Sequence, residues 1–182
     1  AQRFADAPRL TPAHVEALYL VGTGLTGTGT AGADTLLSAG GSNTLIGLGG
    51  NDLYCVNNTG DVVTEAANAG YDTVISTVNY TMPANVEALY LLGSGLTGTG
   101  TSGADILLSA GGPNTLIGLG GNDLYYVNHV GDVVTEAANG GSDIVMSTVN
   151  YTIPDNVEVL YVNGSGLTGT GSSGSDELHS IG

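Results

Sequence analysis

The sequence predicts an all-β solenoid built by stacking tandem repeats, and three observations predict it. Residues 86–156 repeat residues 15–85 almost word for word at an offset of 71. Each copy contains three consecutive glycine-rich nonapeptides: GTAGADTLL, SAGGSNTLI and GLGGNDLYC over 29–55, then GTSGADILL, SAGGPNTLI and GLGGNDLYY over 100–126. Short clusters of Val, Ile, Leu, Tyr and Thr recur every nine to eleven residues, bounded by Gly, Asn or Asp. Fixed-period self-similarity belongs to arrays whose units bury apolar faces against their neighbours, and short punctuated β-formers belong to strands joined by tight turns.

Taken in order, Ala1 to Pro8 has no counterpart in the repeat and reads as a lead-in. A single continuous solenoid is expected from about residue 9 to 182, with copies near 15–85 and 86–156 and a partial copy over 157–182, where GSSGSDELH opens at Gly171. With a partial copy at its end, the chain is expected to be a slab of a longer array. Each unit runs through VEALYL, the turn-rich GLTGTGT, the three nonapeptides, DVVTEAAN, and a stretch such as YDTVISTVNYTMP. VEALYL and DVVTEAAN have helical propensity, but the flanking Gly, Pro and Asn leave under three helical turns, so both are assigned to strands. The 31 glycines likewise exclude a helical bundle.

Charge narrows the function. Seventeen Asp and Glu face two basic residues, for a formal net charge of −15, and from Leu10 to Gly182 no side chain carries a permanent positive charge. Such a chain repels nucleic acid and anionic membranes, and its self-repulsion opposes compaction unless cations bind. Disorder is the rival outcome for acidic chains, but 41% hydrophobic residues in regular clusters are too many for it. A single cysteine, Cys55, replaced by Tyr126 in the second copy, rules out a disulfide framework and a thiolate metal site and reads as a small core residue. No apolar run approaches the ~18 to 20 residues of a membrane span, so no membrane insertion is expected.

The chemistry lies in the nonapeptides, written G-G-x-G-x-D-x-U-x with U a large apolar residue. Their glycines allow turns that aim carbonyl oxygens inward, and Asp adds a carboxylate; oxygen-only ligation suits calcium before zinc or copper. If two nonapeptides make one turn of the coil, residues 18 apart stack. Asp34 and Asp52 are 18 apart, as are Asp105 and Asp123. Carboxylates facing each other across the ~4.8 Å between stacked strands repel unless a divalent ion sits between them. Each pair is therefore a predicted calcium site. On the opposite edge stand Asn43 and Asn114, followed one turn later by Asp61 and Asp132 in glycine-poor loops; these read as structural turns or weak half-sites.

Leu36, Leu45, Tyr54, Leu107, Leu116 and Tyr125 occupy the U positions and should stack as an interior column, the tyrosines as core rather than a carbohydrate platform. His14, His129 and His179 align with Asn85, Asn58 and Leu108 in sister copies and read as incidental surface residues. Nearly every polar residue occurs twice in equivalent settings, and the singular ones assemble no triad, acid–base pair or phosphate loop. No enzyme is expected in this segment.

The nonapeptides resemble the hemolysin-type calcium-binding repeats of RTX proteins, large bacterial exoproteins that include toxins, proteases, lipases, epimerases, adhesins and surface-layer proteins. The flanking pattern GGNDLYYV…GDVVTEAAN…GSDIVMSTVNYTIPDNVEVLYVNGSG is similar to the longer unit that accompanies degenerate nonapeptides, so the likeness covers about residues 9–182. It implies a right-handed parallel β-roll or β-solenoid with calcium between adjacent turns, secretion by the type I route as an unfolded chain, and calcium-driven folding outside the cell. Carried over by position, one site takes Gly29, Ala31, Gly32 and Asp34 with Gly47, Gly49, Gly50 and Asp52. The other takes Gly100, Ser102, Gly103 and Asp105 with Gly118, Gly120, Gly121 and Asp123. The second family glycine is replaced by Thr30, Leu48, Thr101 and Leu119, which lowers the expected occupancy.

The expected function is a calcium-stabilised structural module of a secreted or cell-surface protein. A segment of an end-to-end self-assembling filament, layer or adhesin, and the accessory module of an exoenzyme whose catalytic domain lies elsewhere, are the alternatives.

Overall fold

The computed structural model describes residues 2–3 and 16–182, so most of the expected lead-in, the start of the array near residue 9, and His14 lie outside the described residues. The described residues contain no helix; the fold is an all-β parallel roll, a solenoid of short strands numbered here in chain order. Backbone proximity divides it into two compact units, Ala1–Val78 with Pro83–Ala88, and Asn79–Met82 with Leu89–Gly182.

In the first unit, one parallel sheet runs in the order β1 (Gln2–Arg3), β2 (Ala17–Gly22), β4 (Thr35–Gly40), β6 (Leu53–Val56), β8 (Thr73–Ser76). A second runs β3 (Thr26–Thr28), β5 (Thr44–Ile46), β7 (Val62–Thr64). The chain alternates between the two sheets, so each strand pairs with the one a full turn earlier. Ala17–Leu20 of VEALYL lie in β2 and Val62–Thr64 of DVVTEAAN form β7, as strands, while the EAAN that follows Thr64 is a loop and turn.

The second unit repeats the plan. Its longer sheet is β10 (Ala88–Gly93), β12 (Ile106–Gly111), β14 (Leu124–Val127), β16 (Ile144–Ser147), β18 (Val159–Asn163), β20 (Glu177–Ile181). The shorter strands pair as β9 (Tyr80–Thr81), β11 (Thr97–Thr99), β13 (Thr115–Ile117), β15 (Val133–Thr135), and separately as β17 (Tyr151–Thr152) with β19 (Gly169–Thr170).

Register gives the turn lengths. Ile106 pairs with Leu124, Leu124 with Ile144, Ile144 with Val159, and Val159 with Glu177. The steps are 18, 20, 15 and 18 residues, and together they restore the starting phase after 71. Each repeat thus makes four turns, and the turns are unequal: the long one contains TEAANGGSD, and the short one follows it.

Side chains alternate in and out along each strand, as the two-residue period of a pleated strand requires. Leu36, Tyr54 and Val74 stand in one inward column, and Leu107, Tyr125, Val145 and Leu160 in another, all fully buried. All six U positions are fully buried. Cys55 differs from expectation: it sits on the outward side of β6, half-buried between Leu37 and Ile75, and burial pushes its thiol pKa up.

Loop glycines allow the turns to nest. Gly50 has φ of 99°, and a Cβ there would strike the backbone of Gly32 and Ala33 in the turn below. Leu48 and Leu119 keep the left-handed backbone of the glycines they replace, with φ of 84° and 80°, while nearly half exposed. They bear strain of about 1 to 2 kcal/mol each and bury little in return.

Two substitutions separate strain from packing. Leu119→Gly relieves strain but loses chain entropy, and should stabilise by about 0.5 to 1 kcal/mol in denaturant titrations; a lower midpoint would contradict the strain assignment. Leu116→Ala empties a fully buried site and should cost about 2 to 5 kcal/mol in the same assay.

Candidate metal centre

Along one edge of each unit, an Asp stands immediately before each of several strands: Asp34 before β4, Asp52 before β6 and Asp72 before β8. The position is fixed by hydrogen bonds between turns. Asp34 N–H donates to Asp52 Oδ1 at 2.8 Å, Asp52 N–H to Asp72 Oδ1 at 2.7 Å, and Asp72 N–H to Glu87 Oε2 at 2.7 Å. The second unit repeats the ladder through Asp105, Asp123, Asp143 and Glu158, each step 2.8 Å. Asp52, Asp72 and Glu87, like Asp123, Asp143 and Glu158, thus each spend one oxygen on the backbone of the preceding turn.

The second oxygens divide the ladder. Asp34 Oδ2 accepts from Thr30 N–H at 2.6 Å and from its hydroxyl at 2.9 Å, closing its own loop; Thr101 holds Asp105 Oδ2 in the same way. Asp52 Oδ2, Asp72 Oδ2 and Asp143 Oδ2 are buried without any hydrogen-bond partner. Asp123 Oδ2 receives a long contact from the Tyr125 hydroxyl at 3.5 Å.

Glu65 and Glu136 complete two clusters. Carboxylate oxygens of Asp52, Glu65 and Asp72, and of Asp123, Glu136 and Asp143, lie within 4.8 Å of one another, and all six residues are buried. Ala66 N–H donates to Glu65 Oε1 at 2.7 Å, and the Tyr54 hydroxyl donates to Oε2; Ala137 and Tyr125 bind Glu136 identically. A Cβ on Gly47 would fall on the Tyr54 hydroxyl, Asp52 Oδ2 and Glu65 Oε2, and one on Gly118 would meet the matching atoms. The missing side chain leaves a cradle beside the acids.

Burial dominates the electrostatics. It raises the Asp52 pKa to about 6, helped by the charges of Glu65, Asp72 and Asp34 and opposed by the Asp34 amide. Burial likewise raises Asp123 to about 7 and Asp143 to about 6, and pushes Asp72 up. Desolvation and like charge both disfavour the ionised form.

The residues present fit a hard cation. The donors are all oxygen, three carboxylates share each cluster, buried oxygens stand unpartnered, and spacings within 4.8 Å suit ions bound at about 2.3 to 2.6 Å.

The opposite edge is chemically closed. Asp61 Oδ1 accepts from Ser38 Oγ at 2.8 Å and Asn43 N–H at 2.9 Å, while Oδ2 accepts from the amides of Asn57 and Asn58. Asn43 Nδ2 donates to Gly22 O, Gly41 O and Ser38 Oγ at 2.8 to 3.1 Å. Ser109, Asn114 and Asp132 form the corresponding bonds. An amide nitrogen donates there to oxygens that would otherwise invite a cation.

Of the residues expected to ligate calcium, Asp52 and Asp123 stand in the clusters. Asp34 and Asp105 lie one turn away, joined to them through backbone amides. Gly47 and Gly118 form the cradle, while Gly29 and Gly100 pack against Asp34 and Asp105. Gly32 and Gly103 N–H bond the Thr30 and Thr101 hydroxyls; Ala31 and Ser102 are exposed loop residues. Gly49 N–H reaches back to Thr30 O, and the amides of Gly50 and Gly121 bond Ala69 and Gly140 O; Gly120 lies near Gly140. Glu65, Asp72, Glu136 and Asp143 were not identified from the nonapeptides. Their aspartates carried a signal: YDTV and SDIV repeat the strand-opening Asp of ADTL and NDLY.

The model of the RTX calcium-binding nonapeptide repeat matches residues 26–62 and 99–128 in four copies. These stretches are RTX calcium-binding repeats, and the ion of the repeat is calcium. Among curated proteins, an endo-1,3-1,4-beta-glycanase of Rhizobium meliloti (strain 1021) is 36% identical over 96 residues, 52% of this chain and 21% of that protein. The alignment therefore spans about a fifth of that relative. No solved structure matches.

The raised carboxyls set a pH dependence. Their folded-state pKa values lie above the ordinary value, so the ion-free folded state binds more protons than the unfolded chain between about pH 4 and 7. Its stability is expected to fall as pH rises through that window. Thermal unfolding in EDTA should give a higher midpoint at pH 5 than at pH 8, with a shallower dependence for Asp123→Asn. A midpoint that rises with pH in EDTA would contradict this.

Proposed function

We propose that the chain is a calcium-stabilised structural module of a bacterial protein that works outside the cell. Each copy holds one calcium, through Asp52, Glu65 and Asp72 in the first and Asp123, Glu136 and Asp143 in the second. The nonapeptide loops 29–34, 47–52, 100–105 and 118–123 shape the surroundings. The observation that carries this reading is the burial of Asp52, Asp72 and Asp143 oxygens with no partner beside like-charged neighbours. Unpaired buried charge is expensive, and a bound divalent ion removes most of that cost.

Calcium then couples to folding. Binding to the folded state alone stabilises it by about 1.4 kcal/mol per site at a tenfold excess over the dissociation constant, and by about 2.7 kcal/mol at a hundredfold excess. A chain with so little positive charge suits calcium-poor conditions while unfolded and a calcium-rich exterior once folded. The duplicated clusters support a repeated structural role.

The similarity to the glycanase favours a companion reading, in which the module accompanies a catalytic domain of a larger secreted enzyme. Calcium-dependent folding would be unchanged, and the chain would serve to fold, space and present that domain.

Circular dichroism melts with calcium and with EDTA test the proposal. The wild type should gain stability with calcium. Asp143→Asn should lose about half of that gain without a lower midpoint in EDTA, because it also removes a buried like charge. Gly118→Ala, which fills the second cradle, should lose a similar share. Equal midpoints with and without calcium in the wild type would sink the proposal.

A further inference from the structure

Tyr54 and Tyr125 stand in the apolar column, yet each brings a hydroxyl into a carboxylate cluster. Within each copy the inward position is Leu in the first two nonapeptides and Tyr in the third. The register adds a second singularity. Thr28, Ile46 and Thr64 are equivalent, so Gly29, Gly47 and Glu65 follow them at equivalent places. In the second copy Gly100, Gly118 and Glu136 follow Thr99, Ile117 and Thr135. Tyr thus appears 11 residues before the Glu that replaces the nonapeptide glycine, in both copies.

We propose that Tyr54–Glu65 and Tyr125–Glu136 are the specificity-determining pairs of the calcium site, the phenol acting as a positioning residue that holds the Glu carboxylate at the inner wall. This rests on the calcium reading above. Glu65 is pinned at both oxygens, Oε1 by Ala66 N–H and Oε2 by the Tyr54 hydroxyl. A buried phenol in an apolar column needs a partner, and this Glu supplies it. The unpartnered Asp52 Oδ2 and Asp72 Oδ2 supply the other walls.

Pinning selects by size. Magnesium demands near-octahedral ligands at about 2.0 to 2.1 Å, whereas calcium accepts irregular shells at about 2.3 to 2.6 Å. A Glu fixed through two hydrogen bonds resists being drawn in to the shorter distance. Releasing one bond lets it follow either ion, weakening calcium binding through lost preorganisation and narrowing the calcium-to-magnesium preference.

The test is Tyr54→Phe/Tyr125→Phe, which keeps ring packing and removes both hydroxyls. Calorimetric titration with calcium and with magnesium should show calcium affinity falling about tenfold, as expected for a hydrogen bond to a charged group. Magnesium affinity should fall less, so the ratio narrows. Tyrosine-sensitised terbium emission, strong in wild type and displaced by calcium, should largely disappear in the double variant. A purely packing role would shift the melting midpoint in EDTA but not the ion ratio.

Unchanged calcium affinity and ion ratio in the double variant would overturn the inference while leaving the calcium reading intact. Wild type binding neither calcium nor terbium would overturn the calcium reading first. If the double variant does not fold, wild type decides: tight terbium binding without calcium-displaceable tyrosine-sensitised emission overturns the placement of the phenol against the ion.

Discussion

The structure depends on burying carboxylates in a chain that has almost nothing positive to set against them. Both basic residues lie in the N-terminal nine, so the acids stacked along one edge can be served only by backbone amides, hydroxyls or an external cation. Backbone amides are used first: an Asp at the head of a strand takes the N–H of its counterpart one turn earlier. That bond fixes the register of the parallel strands and brings the remaining oxygens together inside the protein. The interaction that orders the stack is also the one that concentrates its charge.

The two edges resolve this problem differently. Where Asn43 or Asn114 takes the place of an acid, its amide nitrogen donates to nearby carbonyls and to a serine, and the next aspartate finds a partner for each oxygen. Where Asp52, Asp72 and their counterparts stand instead, no neighbouring donor is left for the second oxygen of Asp52, Asp72 or Asp143. The second oxygen of Asp61 is met by two amides of its own loop, and that of Asp52, Asp72 or Asp143 is left open. Strain at Leu48 and Leu119 adds to the burden on the latter edge.

Much of the fold was legible because periodicity alone carries it. The 71-residue offset gives the stacking, and the U positions give the interior column. The site was legible in part. The 18-residue spacing led to Asp34 and Asp52, which do occupy adjacent turns, but spacing does not reveal where a carboxylate's second oxygen points. Thr30 turns that of Asp34 into its own loop. Asp72 escaped because its turn is 20 residues long, which breaks the nonapeptide phase, and Glu65 escaped because it sits where the motif specifies glycine. The departures from the nonapeptide pattern supply two of the three acids in each cluster.

The asparagine-lined edge has a mechanical meaning. Its amide nitrogen is covalently attached and cannot diffuse away, so within each unit that margin is indifferent to the ionic composition of the medium. The acidic margin is held on terms set by the solution. Loss of cation would then loosen each unit from one side, as a bound book opens from its fore-edge while the spine stays sewn. Re-closure would start from strands already in register, sparing the chain the entropic cost of finding its pairing again.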